Sequence, residues 1–292
     1  MIALALSIKS AVDDATRRLA QSGRTDTPRL DAEVLMGFVL GWPRARLFGH
    51  WDEPLDDDRR ARFDGFVQRR AAGEPVAYIR NLKEFMGFEF FVDPRVLIPR
   101  PETELLVARA IEWLLGRAGG ISFAGHRPRV ADIGTGCGAV AIAILRSFPS
   151  THLFAVDISG DALEVARINA QRHGVSLDMR QGSLLEPVPD QADLVVANLP
   201  YLSRDEYESL LDTSIAFEPR GALTDEVDGL RLFDQLLAQV PAKLAPSGAV
   251  LLEIGADQPG PLRDLARRRL PDFAATVFAD YAGLPRVLQL QA

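Results

Sequence analysis

The chain has 292 residues, 47% of them hydrophobic and 25% charged, so it can build a sizeable core in about two domains and is not intrinsically disordered. Its formal net charge of −7 argues against a protein that holds nucleic acid by the phosphates. A single cysteine excludes an intramolecular disulfide and fits a reducing compartment. The apolar opening, residues 1–8, is too short for a membrane span and has no positive charge before it, so we expect a cytoplasmic protein.

Apolar residues at helical spacing predict a small helical bundle over residues 1–75. We expect its second helix to begin at Thr27-Pro28 and to end at Gly41-Trp42-Pro43, and a third helix to run from about Arg59 to Ala72. The region carries 12 Lys/Arg and 12 Asp/Glu, so it is electrically balanced. A structural bundle accounts for these residues, and docking of another protein is a separate hypothesis.

A hairpin and a proline-rich strut are predicted for residues 76–101. Two short strands turn at Gly87 within residues 84–93. Pro99 and Pro101 make the next segment extended, and a helix begins near Thr103. We interpret residues 76–101 as the joint between two domains, although prolines at a domain boundary need no further function.

Strand and helix patterns alternate through residues 102–292, which predicts a Rossmann-like α/β fold with a parallel sheet. The last two strands follow each other directly, so we expect an antiparallel hairpin at one edge of the sheet. The predicted strands are 130–133, 152–157, 177–181, 193–197, 249–254, 275–279 and 286–290, and the predicted helices include 139–146, 161–173 and 229–244.

A glycine-rich turn, Gly134-x-Gly136-x-Gly138, follows the first of these strands and precedes a helix. Glycines at this position let the backbone approach a ligand closely. The same turn also satisfies the dinucleotide fingerprint, with Asp157 placed to bind a ribose, so a nicotinamide cofactor is one candidate. Asp132 favours another, because a carboxylate at the strand end suits a cationic ligand, such as an amino-acid moiety with a sulfonium nearby, better than a pyrophosphate.

Cys137 lies inside this turn, where a small residue fits and no neighbouring group lowers the pKa of its thiol. We therefore do not expect it to act as a nucleophile. The four histidines have no metal-ligand spacing, and we expect no metal site. They are His50, His126, His152 and His173.

The apolar strand 193–197 ends in Asn198-Leu199-Pro200-Tyr201. An amide nitrogen is a poor nucleophile because its lone pair is delocalised. The Asn198 side-chain oxygen and a backbone carbonyl of the turn can each accept one N–H of a planar NH2 group, which favours charge on that nitrogen. Tyr201 can stack on the planar group, and Pro200 stiffens the turn. Adenine, cytosine and a carboxamide all fit this description.

Asp132, the glycine turn, Asp157 and Asn198 at the ends of predicted strands resemble the class I S-adenosylmethionine-dependent methyltransferases. More specific segments occur in order over almost the whole chain and resemble the peptide chain release factor glutamine methyltransferases, the HemK/PrmC family. They are Leu30-Asp31-Ala32-Glu33, Arg69-Arg70, Gly73-Glu74-Pro75, Glu84-Phe85-x-Gly87, Val96 to Glu104, the glycine turn and Asn198 to Tyr201.

This resemblance implies transfer of a methyl group from S-adenosyl-L-methionine to the N5 nitrogen of the glutamine in the Gly-Gly-Gln motif of class 1 release factors, which modulates translation termination. S-adenosyl-L-homocysteine would be the other product. Residues 1–75 would dock the release factor, 76–101 would link, and 102–292 would form the methyltransferase domain. We expect a monomer that binds neither nucleic acid nor a membrane.

Site residues follow from the same resemblance. The expected cofactor-binding residues are Asp132, Gly134, Thr135, Gly136, Cys137, Gly138, Asp157, Leu184 and Asn198. Substrate binding is expected from Arg100, Glu102, Asn198, Leu199, Pro200 and Tyr201, and the catalytic residues among them are Asn198, Pro200 and Tyr201.

Two positions depart from the family pattern. Asn81 stands where a glycine is expected, and Leu199 replaces the first proline of the family's turn. With one proline fewer, we expect a looser turn unless neighbours pack around Leu199. Three alternatives stay open at this point: an adenine or cytosine N-methyltransferase of nucleic acid, an enzyme for a ribosomal-protein glutamine, and a binding module without turnover. The ribosomal-protein enzymes typically lack the Pro-Glu-Thr-Glu segment found at residues 101–104.

Overall fold

The computed structural model describes residues 7–118, 127–189, 191–210 and 214–292. Most of the apolar opening segment lies outside these residues. The chain divides into two compact units. The first comprises Met1–Leu82 with Leu210–Phe217, and the second comprises Lys83–Ser209 with Glu218–Ala292.

In the described part of the first unit, five α-helices form the bundle, and their ends follow the local sequence. The Ser7 side chain caps the first helix and the Asp56 side chain caps the fourth, each accepting a backbone N–H three residues on. Glycines in the left-handed conformation end the first two helices. The helices are α1 Ile8–Ser22, α2 Pro28–Leu40, α3 Arg44–Leu47, α4 Asp57–Ala71 and α5 Val76–Arg80.

Asn81 ends α5 with a φ of 51°. This left-handed conformation favours glycine, and asparagine is among the residues that tolerate it best. The first departure from the family pattern therefore keeps the backbone that a glycine would allow.

Two buried carboxylates tie the helices of the first unit together. Asp31 accepts hydrogen bonds from the Arg70 guanidinium at 2.7 Å and from the Thr25 hydroxyl at 2.7 Å. Glu33 accepts from Arg29 and Arg44, each at 2.6 Å. Buried charges need such partners because an unpaired one is strongly destabilising. Asp31, Glu33 and Arg70, which lie in segments that resemble the family, thus stabilise the interior of this unit.

The second unit begins with the predicted hairpin, whose strands pair antiparallel around a left-handed Gly87. The strands are β1 Lys83–Phe85, β2 Phe88–Phe90, β3 Arg129–Ile133, β4 His152–Asp157, β5 Asp178–Gln181, β6 Ala192–Ala197, β7 Leu244–Glu253, β8 Ala274–Ala279 and β9 Pro285–Gln291. After the hairpin of β1 and β2, a seven-stranded sheet has the order β5-β4-β3-β6-β7-β9-β8, with all neighbours parallel except β9, which is antiparallel to both β7 and β8. The predicted Rossmann-like α/β class with a C-terminal antiparallel hairpin is therefore confirmed.

Six helices of this unit flank or connect the strands. They are α6 Thr103–Ala118, α7 Ala139–Ser147, α8 Gly160–Arg172, α9 Arg204–Ser209, α10 Arg231–Lys243 and α11 Pro259–Arg269. Within the described ranges, no helix is long and apolar enough to span a membrane.

The central strands β3 and β6 bring the two predicted functional turns together. Both strands are almost entirely buried, and they pair in parallel with Ile133 opposite Ala197. Because both strands end at the same edge of the sheet, the turn that begins at Gly134 lies beside the turn that begins at Asn198. A Cβ atom on Gly134 would come 3.5 Å from the Asn198 carbonyl oxygen. The fold thereby creates one site from two segments more than 60 residues apart in sequence.

Candidate active site

A cavity of about 260 Å³ lies at the carboxyl ends of the parallel strands. It is lined by the ends of β3, β4 and β6, by residues 182–184 after β5, and, from elsewhere in the second unit, by residues 95–97 and by Pro219, Gly221 and Ala222. This edge is where open α/β sheets bind their ligands.

The glycine turn presents its backbone to this cavity. Gly134, Gly136 and Gly138 all have positive φ, at 72°, 55° and 81°. The N–H groups of Gly134 and Thr135 both donate to the Val156 carbonyl at 2.9 Å, which holds the turn against β4. Gly138 also has a packing reason, since a Cβ there would lie 3.3 Å from the side chain of Ala166.

The Asp132 side chain stabilises the glycine turn. Its carboxylate accepts the Thr135 hydroxyl at 2.7 Å and the Ala141 N–H at 3.2 Å, which joins the turn to the first turn of α7. Burial raises the pKa of Asp132 to about 7. Neither Asp132 nor Thr135 belongs to the described lining of the cavity, so they act on a ligand through the backbone that they shape.

Cys137 is buried in the turn, and its carbonyl accepts a hydrogen bond from the Asn169 amide at 2.9 Å. Burial raises the pKa of the thiol to about 12, so the reactive thiolate is not formed near neutral pH. Cys137 is also outside the described lining.

Asp157 reaches the cavity from the end of β4. One carboxylate oxygen accepts the Gly136 N–H and the other accepts the Ser159 N–H, each at 2.9 Å. Each oxygen keeps a lone pair, so the group can still accept hydrogen bonds from ligand hydroxyls. Burial raises the pKa of Asp157 above its usual value.

The wall beyond Asp157 is mainly apolar. Leu184 lines it with a φ of 50°, and Ile158 faces the same cavity while 74% exposed. Ile158 was missed from the sequence, although a large apolar residue directly after a strand-ending acid was an available signal. Arg95 was missed too; it lines the cavity while its guanidinium holds both carboxylate oxygens of Asp93.

The Asn198 turn forms the opposite wall. The Asn198 amide donates through Nδ2 to the Thr103 hydroxyl at 3.1 Å. Leu199 is 4% exposed and packs into the core of the second unit. Neighbouring side chains thus enclose Leu199. The turn therefore meets the condition under which we expected it to stay firm with one proline fewer.

Tyr201 ends this turn outside the described lining of the cavity, and contacts with its backbone hold it in place. Gln258 donates from Nε2 to the Tyr201 carbonyl at 2.9 Å. A Cβ on Gly229 would come within 2.2 Å of the same carbonyl, so only glycine fits there. Burial, reinforced by the charge of Glu253, raises the pKa of the Tyr201 phenol above its usual value, and the hydroxyl stays protonated.

Arg100 and Glu102 lie in the segment that follows the cavity-lining residues 95–97 and are not in the described lining themselves. The Arg100 guanidinium pairs with Glu218, and the same carboxylate accepts the Ile98 N–H at 3.0 Å. Glu218 is 5% exposed, so this pair is largely shielded from water and anchors the strut. Glu102 is exposed.

The site therefore combines four chemical features: an approachable backbone turn, a carboxylate with spare lone pairs, apolar walls and an amide with its oxygen available. They suit a partly apolar ligand with hydroxyl groups, held beside a planar NH2 group. Across the described ranges, no group of three or more His, Cys, Asp or Glu is arranged to hold a metal ion.

Comparisons with known proteins agree with this architecture. Residues 10–80 match the family model described as PrmC N-terminal domain, and residues 121–226 match the one described as Methyltransferase small domain. A methyltransferase from Pyrococcus furiosus of known structure is 17% identical and covers 81% of this chain and 98% of its own, with a TM-score of 0.51. That likeness concerns the fold.

Relatives with closer sequences carry a more specific name. The release factor glutamine methyltransferase of Bordetella pertussis is 43% identical over 243 residues, which are 82% of this chain and 87% of the relative. The protein of that name from Koribacter versatilis is 36% identical over 286 residues, 97% of this chain and 98% of the relative. With such identity over most of both chains, this protein belongs to the release factor glutamine methyltransferase family.

Proposed function

We propose that this chain transfers a methyl group from S-adenosyl-L-methionine to the N5 nitrogen of the glutamine in the Gly-Gly-Gln motif of class 1 release factors, and thereby modulates translation termination. S-adenosyl-L-homocysteine is the second product. One observation carries the proposal: in a member of this family, the Asn198 amide stands beside the glycine-turn cavity with Nδ2 engaged by Thr103. Its oxygen is then free to accept a hydrogen bond from an amide NH2.

The cofactor would lie along the edge of the sheet. The Gly134–Gly138 turn lets the backbone approach its methionine part, and Asp157 accepts the ribose hydroxyls. Leu184 and Ile158 supply the apolar surfaces that a purine ring needs. When bound, the cofactor supplies a methyl group on a positively charged sulfur.

The protein's part in the transfer is placement. Asn198 Oδ1 accepts one N–H of the substrate amide and a carbonyl of the turn accepts the other, which fixes the nitrogen in line with the methyl group. Pro200 keeps the turn rigid, and Tyr201 supplies a flat surface beside the amide. The bound cofactor would supply the methyl group and the sulfur that takes back the C–S electrons, and the substrate nitrogen would release one proton to water. The acceptor hydrogen bonds favour the positive charge that builds on nitrogen.

The partner would be the release factor itself. In this proposal residues 1–75 dock the factor, residues 76–101 link, and residues 102–292 carry out the transfer in a cytoplasmic monomer without a metal. Support comes from the match of residues 10–80 to the N-terminal domain model of the family. A nucleic-acid substrate is not favoured, because the relatives are named for release factors and the net charge is −7.

The test is incubation with labelled S-adenosylmethionine and three acceptors: a class 1 release factor, the same factor with the motif glutamine replaced by alanine, and ribosomal RNA. We expect label on the unmodified factor alone. Label in RNA, in both forms of the factor, or in none of the three would contradict the proposed function.

A further inference from the structure

The wall segment, residues 91–97, lies between the β1–β2 hairpin and the proline-rich strut, and its last three residues line the cavity. It is braced internally: the Asp93 carboxylate accepts the Arg95 N–H at 3.0 Å, and the Asp93 carbonyl accepts the Val96 N–H at 3.1 Å. A shift at the start of this segment is therefore passed on to the residues that face the cavity.

The start of the wall segment is bonded to Asn169, which lies in α8 and is 0% exposed. The Phe91 N–H donates to Asn169 Oδ1 at 2.7 Å, and Asn169 Nδ2 donates to the Phe91 carbonyl at 2.9 Å. The same Nδ2 atom donates to the Cys137 carbonyl, in the glycine turn, at 2.9 Å. Only this orientation of the amide satisfies all three bonds, and it uses both N–H groups of the side chain. One buried amide thus joins the wall segment to the glycine turn.

The two elements that Asn169 joins contribute different parts of the cavity lining. The glycine turn contributes Gly134 and Gly136, and the wall segment contributes residues 95–97, whereas Asn169 is outside the described lining. The two elements cannot move apart without leaving a buried amide or carbonyl group unpaired, which is costly. Walls that are already held in place bind a ligand with less loss of conformational entropy.

We propose that Asn169 is a positioning residue for cofactor binding: its amide holds the wall segment and the glycine turn at the separation that S-adenosylmethionine requires. The proposal rests on the proposed function, which takes this cavity as the S-adenosylmethionine site. Residues 91–97 then belong to the cofactor site as well as to the joint between domains. Cofactor affinity depends on a side chain that does not line the cavity.

A purely structural role must be separated from this one, and Gln258 offers a matched comparison in the same unit. It is buried, and its side-chain oxygen accepts the Gly255 N–H at 2.8 Å. Its Nε2 atom donates to the carbonyls of Tyr201 and Gly229 at 2.9 and 3.2 Å. Like Asn169, it accepts one backbone N–H and donates to two backbone carbonyls, but it supports the other turn of the cavity.

The variants are Asn169→Asp and Gln258→Glu, each of which keeps the size of the side chain and its acceptor oxygen but replaces the NH2 group by oxygen. The experiment measures the Kd of S-adenosylmethionine by calorimetry, without release factor, together with the melting temperature and kcat at saturating cofactor. Both variants should melt at lower temperature. We expect Asn169→Asp to raise the Kd about tenfold and to leave kcat close to that of the unmodified chain. Gln258→Glu should lower kcat and leave the Kd unchanged. An unchanged Kd in a folded Asn169→Asp protein, or an equal rise of the Kd in both variants, would overturn the proposal.

Hydrogen exchange on the unmodified chain decides the matter if the Asn169 variant does not fold. The amide of Phe91 is compared with that of Gly136, whose N–H donates to Asp157 at 2.9 Å, with and without S-adenosylmethionine. We expect the cofactor to slow exchange at both amides about tenfold or more, because a ligand that stabilises the glycine turn also stabilises Phe91 through Asn169. The Gly229 amide, on the other turn's support, should change little.

Protection at Gly136 without protection at Phe91 would overturn the proposal. If S-adenosylmethionine protects both amides but no label reaches the release factor, the proposed function fails and the role of Asn169 stands. Absence of S-adenosylmethionine binding to the unmodified chain would overturn both.

Discussion

The two turns that meet in the cavity are held in different ways. The glycine turn is stabilised locally: Asp132 bonds residues three and nine positions ahead, and the neighbouring strand β4 supplies the Val156 carbonyl and Asp157. The Asn198 turn is held from a distance, by Thr103, 95 residues before it, and by Gln258, 57 residues after Tyr201. In the proposed function, cofactor affinity and substrate placement therefore depend on separate sets of contacts.

Asn198→Ala removes the side chain proposed to accept a hydrogen bond from the substrate amide, and we expect it to have the largest effect of the variants discussed. The substrate amide would lose an acceptor that strengthens as charge builds on nitrogen, so we expect kcat to fall about 100- to 1000-fold. The Kd of S-adenosylmethionine, measured by calorimetry, should change little, because Gly134–Gly138 and Asp157 remain. Turnover equal to that of the unmodified chain would remove Asn198 from its assigned role.

The sequence predicted the first kind of turn better than the second. Spacing within a few residues identified Asp132, the three glycines and Asp157, and the buried strands were predicted to within a few residues of their observed ends, apart from the start of β7 at Leu244. Nothing local links Thr103 to Asn198, because the fold alone brings them together.

The sequence pattern also did not predict the short helices. The helices α5 and α9 have five and six residues, too few to show a helical period. In α11 the buried face is only Leu262, Leu265 and Ala266, set among arginines, and its burial depends on the sheet beneath it. Four residues predicted on the cofactor side, Asp132, Thr135, Cys137 and Gly138, lie at the end of β3 or in the turn but outside the described lining of the cavity, and spacing in sequence does not show this difference in depth.

Glu253→Gln should change how the free energy of unfolding depends on pH. Burial raises the pKa of Glu253 from 4.5 to about 7, so between these values the unfolded chain is ionised while the folded chain holds its proton. Folding stability from this group is therefore lost as pH rises from about 4.5 to about 7. Above pH 7 the variant should be more stable than the unmodified chain by up to about 3 kcal/mol.

The measurement is urea unfolding of both proteins across this pH range. Below about pH 4.5 the two free energies of unfolding should differ little from each other, since Glu253 is then protonated in both states. A constant difference at every pH would mean that Glu253 does not titrate in this window.

Gly229→Ala tests how rigidly the Asn198 turn is supported. The new Cβ would lie 2.2 Å from the Tyr201 carbonyl, at a φ of 75°, so the turn must shift. We expect a loss of about 2 to 4 kcal/mol in the free energy of unfolding together with a lower kcat. Gly283→Ala is the control: its φ is 79° with no atom within 4 Å, and it should cost only about 1 kcal/mol and leave kcat unchanged. Equal effects of the two variants would show that contact with Tyr201 does not matter.

Asp157→Asn addresses the cofactor side and should have the smallest effect. The amide keeps one oxygen for a backbone N–H but turns a donor toward the other N–H group or toward the ribose hydroxyls, so we expect the Kd of S-adenosylmethionine to rise about tenfold. At saturating cofactor, kcat should stay close to that of the unmodified chain, because the Asn198 turn and its supports Thr103, Gln258 and Gly229 are untouched. This is the reverse of the result for Asn198→Ala, which changes kcat and spares the Kd. If both variants instead changed both quantities in parallel, the two turns would be coupled where they approach each other: a Cβ on Gly134 would lie 3.5 Å from both the Asn198 carbonyl oxygen and the Leu199 side chain.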